Sequence, residues 1–229
     1  MKVVKKIAIT ISIKGVRAFF LGLCLICPMG LSAPQTNSLE AMARNFMKDL
    51  LEISDLSKKM VQGSSDLENQ KKQKLEQVSK QIDFVELSRA SLGPQWKKIS
   101  EPERKDFLAT LQDLLQEVVF PLAKKISITS DQMDFSVSPK FKSQVKIRAK
   151  IEREKRGEIV QQELEVDLVY SKTKPENVID AVIEGEKLSV NLRRQFDEAL
   201  KKKTFSQILE KMKARVKDAR VKNLETAKK

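Results

Sequence analysis

Histidine is absent from this chain of 229 residues, and cysteine occurs only twice. Without histidine the chain lacks the usual general base, the Ser-His-Asp triad and the commonest metal ligand. Both cysteines, Cys24 and Cys27, lie near the amino terminus. The rest of the chain therefore has no thiol nucleophile, no thiolate metal site and no disulfide. We expect neither a metal nor a cofactor.

Glycine is also scarce, with seven residues that are scattered along the chain. No glycine-rich phosphate-binding loop is present. Pairs of carboxylates could still act as acid and base in glycoside hydrolysis. The candidates, such as Asp180 and Glu184, lie in a strand pattern where ordinary structural roles explain them. We therefore predict that the protein is not an enzyme and has no catalytic residues.

The first 33 residues have the features of an export signal. Basic residues without any acid precede a short apolar run, and Leu31-Ser32-Ala33 places small residues just before a cleavage site. The run is short for a membrane span, although a retained signal anchor is the alternative. Cys24 and Cys27 follow large residues, which disfavours a lipoprotein. A redox role for this pair is also disfavoured, because it would need a βα context and the segment has the features of a leader. We predict a cleaved signal peptide and a periplasmic location.

Basic residues outnumber acidic ones by 44 to 31, which gives a net charge of +13. Beyond the leader, 39 basic residues face 31 acidic ones, so +8 remains. This charge could favour anionic lipid headgroups or an acidic partner surface. The aromatic residues beyond the leader are Trp96, Tyr170 and eight phenylalanines, all at positions typical of a core. A nucleic-acid binder, which usually places stacking aromatics beside basic residues, is therefore disfavoured.

The first half of the chain has the spacing of helices. Apolar residues recur at helical intervals over residues 39–60 and 67–82, and again from Phe84 until Gly93-Pro94 ends the pattern. A further helix is predicted from Glu101 to about Leu122. Ser100 and Glu103 have the spacing of a capping box at its start.

After Lys125 the pattern is that of strands. Residues 126–128 and 133–137 are short candidates, whereas residues 145–151 and 164–170 alternate apolar with charged side chains. We predict a hairpin that turns at 155–158 and sets Arg148 near Glu165 and Lys150 near Glu163. A strand from Val178 to Ile183, apolar on much of both sides, completes an antiparallel meander.

Two helices are predicted to follow a tight turn at Glu184-Gly185. The first begins at Leu188, and Thr204 and Gln207 have capping-box spacing at the start of the second. Beyond Lys217 the chain has little to bury, and we interpret it as a frayed, basic extension. The predicted organisation is a signal peptide (1–33), a single domain (34–216) and this extension (217–229).

Two separated segments resemble the MlaC / toluene-tolerance family of periplasmic phospholipid-binding proteins that serve an ABC transporter. The first follows the pattern D-F-x-x-(I/L)-(S/A)-R-x-x-L-G-x-x-W, and the second is a strand that leads through glycine into a helix. The matching residues are Asp83, Phe84, Leu87, Ser88, Arg89, Leu92, Gly93 and Trp96, then Asp180, Gly185, Leu188, Asn191, Arg193, Gln195 and Phe196. Glu176, Lys187 and Leu192 depart from the family pattern.

The resemblance implies an α+β fold in which helices pack on one side of a twisted antiparallel sheet. An apolar pocket between the layers would take phospholipid acyl chains. The implied function is a carrier that moves phospholipid through the periplasm. Its implied partners are an inner-membrane Mla-type ABC transporter complex and an outer-membrane lipoprotein, with no nucleic acid.

Residues of the family-like segments and of the helix from Glu101 are candidates for this pocket. They are Trp96, Phe107, Leu111, Leu115, Val182, Leu188 and Phe196. Asp180, Gly185, Asn191 and Arg193 fix the corner between strand and helix or, alternatively, line the pocket mouth. The same apolar residues would also suit plain core packing. The rival hypothesis is a periplasmic protein-interaction module of the same fold with a filled core and no lipid.

Overall fold

The computed structural model describes residues 34–59, 65–120, 130–155 and 158–226. Its described helices and strands confirm the α+β class. The helices are α1 (Pro34–Lys59), α2 (Ser65–Lys80), α3 (Phe84–Leu92), α4 (Glu101–Leu114), α5 (Leu188–Leu200) and α6 (Phe205–Thr226). The strands are β1 (Met133–Val137), β2 (Gln144–Lys155), β3 (Glu158–Tyr170), β4 (Val178–Ile183) and β5 (Glu186–Lys187). The predicted leader, the candidate strand at 126–128 and part of the hairpin turn lie outside the described residues.

The five strands form an antiparallel sheet in the order β1-β2-β3-β4-β5. The predicted hairpin register is confirmed, because Arg148 pairs with Glu165 and Lys150 with Glu163. Lys146 Nζ lies 2.9 Å and Arg148 Nε 3.3 Å from the Glu165 carboxylate. These two cations keep the pKa of the Glu165 carboxyl below its ordinary value, and Lys146 has the larger effect. The charged pattern of this hairpin thus has a structural role.

One face of the sheet contributes to a core that also takes residues from all six helices. Val145, Ile147 and Leu168 are buried there, whereas Lys146 and Glu165 alternate with them on the other face. Helix α1 contacts the edge strand β1 directly. Glu40 Oε1 accepts a hydrogen bond from Val137 N at 3.1 Å. The helices and the sheet are therefore joined through one continuous apolar interior.

Helix α4 differs from the prediction at its carboxyl end. Ser100 and Glu103 form the predicted capping box, but the α-helical hydrogen bonding stops at Leu114. Leu115–Val119 form a wider π-helical turn, in which Phe120 N donates to Leu115 O. Such turns are rare and often occur at functional sites.

Helix α6 continues beyond Lys217, contrary to the expectation of a frayed extension. Asn223 Nδ2 donates to Glu117 O, a carbonyl of the π-helical turn, at 3.2 Å. Arg220 forms ion pairs with Asp113 at 3.0 Å and with Glu117 at 2.9 Å. Polar contacts with α4 and its π-helical turn therefore hold this part of the helix in place of apolar burial.

Two further expectations about burial are wrong. Phe141 is 52% exposed, although its aromatic ring suggested a core position. In β4 only Val178 and Asp180 are buried, and the other four residues are half-buried. The outer edge of β4 pairs with the two-residue strand β5 at Val182 and Ile183, and with Ile82 at Val178. Among the described residues, no helix has both the length and the apolar character needed to cross a bilayer.

Candidate functional site

Three aromatic rings from different helices meet in the interior. The Phe107 ring of α4 lies 5.5 Å from the Phe196 ring of α5 in an edge-on arrangement, and 5.9 Å from the Phe205 ring of α6. Edge-to-face pairs at such distances are favourable because the positive ring edge meets the negative face. Phe107 is fully buried. The cluster thus ties the last three long helices together.

Leu111 and Leu115 follow Phe107 at intervals of four residues and share its side of the helix. Leu111 is fully buried and Leu115 almost so. Leu115 is also the first residue of the π-helical turn. The structure therefore brings four predicted pocket residues, these two together with Phe107 and Phe196, into one core.

Trp96 and Leu188 lie at the margin of that core and are half-buried. Trp96 belongs to a short 3₁₀ turn that directly follows α3. Arg104 Nε donates to the Trp96 carbonyl at 3.0 Å, and its guanidinium lies 5.5 Å from the centre of the indole ring. A cation over an indole face is a stabilising contact. Arg104 thus fixes the position of Trp96.

Val182 does not share the inward face with the other candidates. It pairs with Asp167 of β3, whereas its neighbour Ala181 pairs with the buried Leu168. Paired residues of antiparallel strands point to the same face. A bulge at Val169/Tyr170 shifts the register, so that Val178 rather than Val182 reaches the core. Simple alternation along the sequence cannot reveal such a shift.

Asp180 joins β4 to the start of α5. Its carboxyl group is buried and accepts hydrogen bonds from Ser189 N at 3.1 Å and Ser189 Oγ at 2.5 Å. It also accepts from Ala181 N at 2.9 Å. The carboxyl group therefore satisfies a backbone N–H in the first turn of α5, which has no partner within the helix. This geometry supports the structural reading of Asp180.

Asn191 belongs to a polar chain on the surface of α5. Its amide donates to Glu186 Oε2 at 2.9 Å, and Gln195 donates to its oxygen at 2.5 Å. Arg194 forms an ion pair with Glu186 at 2.8 Å. Hydrogen bonds from Asn191, which has the larger effect, and from Arg194 keep the pKa of the Glu186 carboxyl below its ordinary value. These contacts connect β5 with α5.

Arg193 links α5 to the carboxyl end of α3. Its Nε and Nη2 atoms both donate to the Ala90 carbonyl, at 3.1 and 2.7 Å. Cations are favourable at a helix carboxyl end, where carbonyls lack partners within the helix. A β-carbon on Gly93, whose φ is +54°, would come within 2.8 Å of Arg193 Nε. A side chain at Gly93 would therefore strain the backbone and also displace the Arg193 guanidinium.

Two glycine substitutions should separate these effects. Gly185 also has a positive φ, +83°, but a β-carbon there would meet nothing within 4 Å. Gly185→Ala is expected to reduce the free energy of unfolding by about 1–2 kcal/mol from the backbone alone. Gly93→Ala should cost more, because Arg193 must also move. Urea denaturation measures both. In an Arg193→Ala background the two substitutions should lower the free energy of unfolding by equal amounts. If Gly93→Ala still cost more there, its extra cost would not come from the contact with Arg193.

Four buried hydroxyl groups have no hydrogen-bond partner among the described residues. They belong to Ser54, Ser88, Ser91 and Tyr170. Tyr170 is only 2% exposed, and burial raises the pKa of its phenol. Their flanking residues Ile53, Leu87 and Leu92 lie in the apolar core, as does Tyr170 itself. Sequence reasoning did not select these hydroxyls, although serines on the inward side of an apolar helical stripe were a visible signal.

Two clefts on the described surface are lined mainly by polar and charged residues. The cleft between α1 and α2 has a volume of about 420 Å³, and its lining includes Glu52, Asp55 and Lys74. The second, of about 370 Å³, is lined by sheet residues such as Arg148 and Glu163. Within the described ranges, no cluster of carboxylates, histidines or cysteines could hold a metal ion. These linings suit acyl chains less well than the buried apolar core does.

Comparison with known proteins gives two positive findings. The sequence profile of the MlaC protein family matches residues 51–214. The structure is similar to that of the phospholipid-binding protein from Ralstonia solanacearum, which was solved in complex with a phospholipid. That similarity has a TM-score of 0.52 at 18% identity, covers 79% of this chain and 98% of the other, and concerns the fold. A sequence comparison with curated proteins found no significant match.

Proposed function

The chain belongs to the MlaC family, and from this we propose that it binds phospholipid and carries it through the periplasm. The proposed cargo sits with its acyl chains among the apolar residues between the helices and the sheet. The proposed partners are an inner-membrane Mla-type ABC transporter complex and an outer-membrane lipoprotein. A cleavable signal peptide at residues 1–33 would bring the protein to that compartment.

Acyl chains need such a carrier because water opposes their exposure. Each buried methylene contributes about 0.8 kcal/mol, so two long chains represent on the order of 20 kcal/mol. Spontaneous desorption from a membrane is correspondingly slow. A protein interior that shields the chains removes much of this barrier, while the headgroup can remain in water. Release then requires a partner at which the protein and the membrane hold the lipid almost equally well.

The buried hydroxyls that have no partner among the described residues are the structural observation that carries the proposal. A buried hydroxyl without a partner costs about 1–3 kcal/mol, and such groups are rare in native interiors. Here they come from α1 (Ser54), α3 (Ser88 and Ser91) and β3 (Tyr170). Each can donate a hydrogen bond, and the ester oxygens of a phospholipid are acceptors. A lipid between the layers would therefore supply both apolar contacts and polar partners.

Loading must displace part of the present core. Phe107 and Leu111 are fully buried and pack against neighbouring helices, so acyl chains cannot reach them without movement. The π-helical turn at Leu115–Val119 is the point where regular hydrogen bonding of the helix is already interrupted. We propose that the helical layer moves away from the sheet when lipid enters, with α4 yielding at this turn.

Tyr170→Phe is expected to have opposite effects on the empty and the loaded protein. Removing an unpaired hydroxyl relieves a desolvation cost, so the lipid-free variant should unfold at the same temperature or higher. Loss of a donor to the lipid should lower phospholipid occupancy. Thermal denaturation and quantitative phosphate analysis measure the two effects. A clear loss of stability without lipid would indicate that water or protein already pairs with this hydroxyl.

A filled-core interaction module is the second candidate, and the complete burial of Phe107 and Leu111 favours it. Transfer of labelled phospholipid between donor and acceptor vesicles tests the two candidates. A carrier should accelerate transfer in proportion to protein concentration, whereas an interaction module should leave the spontaneous rate unchanged. Boiled protein and an equal mass of an unrelated basic protein are the controls.

A further inference from the structure

Two loops lie side by side at one end of the sheet. The first, residues 138–143, joins β1 to β2, and the second, residues 171–177, joins β3 to β4. They are neighbours because Gln144 at the start of β2 pairs with Val169 near the end of β3. Tyr170 N also donates to Ser143 O at 2.7 Å. We call these two loops the lysine loops.

Phe141 is the most exposed large apolar side chain on the described surface. It stands between Lys140 and Lys142, and Lys140 Nζ lies 5.3 Å from the centre of its ring. The loop that presents it is well bonded. Phe141 N donates to Ser138 Oγ at 3.2 Å, and Gln144 N donates to Phe141 O at 2.9 Å. The ring is thus held in water by an ordered loop.

The lysine loops are strongly basic. Lys140, Lys142, Lys172 and Lys174 are all exposed, and Glu176 is the one acidic residue among these thirteen positions. None of the four lysines forms an ion pair with another residue in the described part of the chain. Elsewhere on the sheet, by contrast, Lys146 and Arg148 share the carboxylate of Glu165. The four charges therefore remain available to an external anion.

We propose that the lysine loops form a docking surface for an anionic phospholipid bilayer. Phe141 inserts at the level of the headgroups, where an aromatic ring loses contact with water, and the lysines bind lipid phosphates. A membrane fits this arrangement better than an acidic protein because one apolar tip protrudes among cations on two adjacent loops. This surface binds the membrane whether or not the core carries lipid, so the inference goes beyond the proposed function.

Sedimentation with vesicles tests the docking surface. The chain is expressed from its full-length gene, and vesicles contain phosphatidylcholine alone or with phosphatidylglycerol. Lys140→Gln/Lys142→Gln should weaken binding to the anionic vesicles roughly tenfold or more. Phe141→Ser should weaken it by about tenfold. All variants carry the same amino-terminal segment, so its contribution to binding is constant.

Matched controls separate the local surface from overall charge and apolarity. Lys97→Gln/Lys98→Gln removes the same charge from two exposed lysines after α3, and Val221→Ser removes an exposed apolar side chain from α6. Both controls should bind anionic vesicles as the wild type does. Equal losses in test and control variants would overturn the proposal. Absence of wild-type binding to anionic vesicles would also overturn it. That result would instead favour an acidic protein as the partner of the lysine loops.

Lipid co-purification distinguishes a failure of this inference from a failure of the proposed function. The loop variants should retain the wild-type amount of bound phospholipid, because Phe141 and its neighbouring lysines lie outside the core. Loop variants that bind vesicles normally but lose co-purified lipid would contradict the docking role.

Discussion

Replacing Phe107 by alanine is expected to lower the free energy of unfolding by about 3–5 kcal/mol. The ring is fully buried and contacts the rings of Phe196 and Phe205, which come from two other helices. Alanine therefore removes apolar contacts and leaves a cavity that the surrounding helices cannot fully close. Urea denaturation of lipid-free protein, followed by circular dichroism, measures the loss.

Leu108→Ala is the matched control, because Leu108 neighbours Phe107 in α4 but is only half-buried. Its loss should be clearly smaller. Phe107→Ala combined with Phe196→Ala should reveal a coupling of about 0.5–1.5 kcal/mol between the two rings. If Phe107→Ala costs no more than Leu108→Ala, the ring is not part of a packed core, and a pre-formed cavity becomes the better description.

Asp180→Ala is expected to cost about 2–4 kcal/mol of unfolding free energy. The buried carboxyl group accepts hydrogen bonds from the backbone N–H and the hydroxyl of Ser189. Its removal leaves both donors without a partner at the start of α5. That helix carries Arg193, which reaches back to the end of α3, so the whole strand-to-helix corner should loosen. Hydrogen exchange of the α5 amides should increase in the variant.

Asp180→Asn keeps one acceptor oxygen and should recover a large part of the loss. Ser189→Ala should cost less than Asp180→Ala, because it leaves no donor unpaired and the carboxyl group still accepts from the backbone N–H of residue 189. A purely structural role also predicts that Asp180→Asn retains normal lipid content. A variant that folds as well as the wild type but no longer holds lipid would assign Asp180 to the mouth of the lipid site instead.

Local and periodic features of the fold were predictable from the sequence. The capping boxes at Ser100/Glu103 and Thr204/Gln207 depend on residues three positions apart, and both are present. The pairing of Arg148 with Glu165 followed from alternating charges on two strands joined by a short turn. In each case the information lies in neighbouring residues or in a simple period.

Features that depend on distant contacts were not predictable. The face of Val182 depends on a bulge between β3 and β4. The π-helical turn after Leu114 and the end of α6 are in contact, because Asn223 and Arg220 bond to Glu117 across more than a hundred residues. The exposure of Phe141 was not predicted either, since an aromatic residue in a strand-rich region is usually interior.

The candidate site was predictable from the sequence only in part. Phe107, Leu111, Leu115 and Phe196 were predicted from the family resemblance together with their inward-facing apolar spacing, and the structure brings them together. Apolar spacing cannot distinguish a packed core from a lipid cavity, since both need the same side chains. The buried hydroxyls of Ser88 and Tyr170, which have no partner among the described residues, are a separate signal. Unpaired donors destabilise a packed apolar core, so their presence favours a site for a ligand.

Native mass spectrometry of the protein, expressed from its full-length gene and purified without detergent, tests the central claim most directly. The proposed function predicts a mass excess that dissociates as phospholipid and is reduced in Tyr170→Phe. The same spectrum identifies the headgroup and the number of acyl chains. A protein that shows only its polypeptide mass, and that takes up no phospholipid from added vesicles, would contradict lipid carriage and leave the filled-core interaction module.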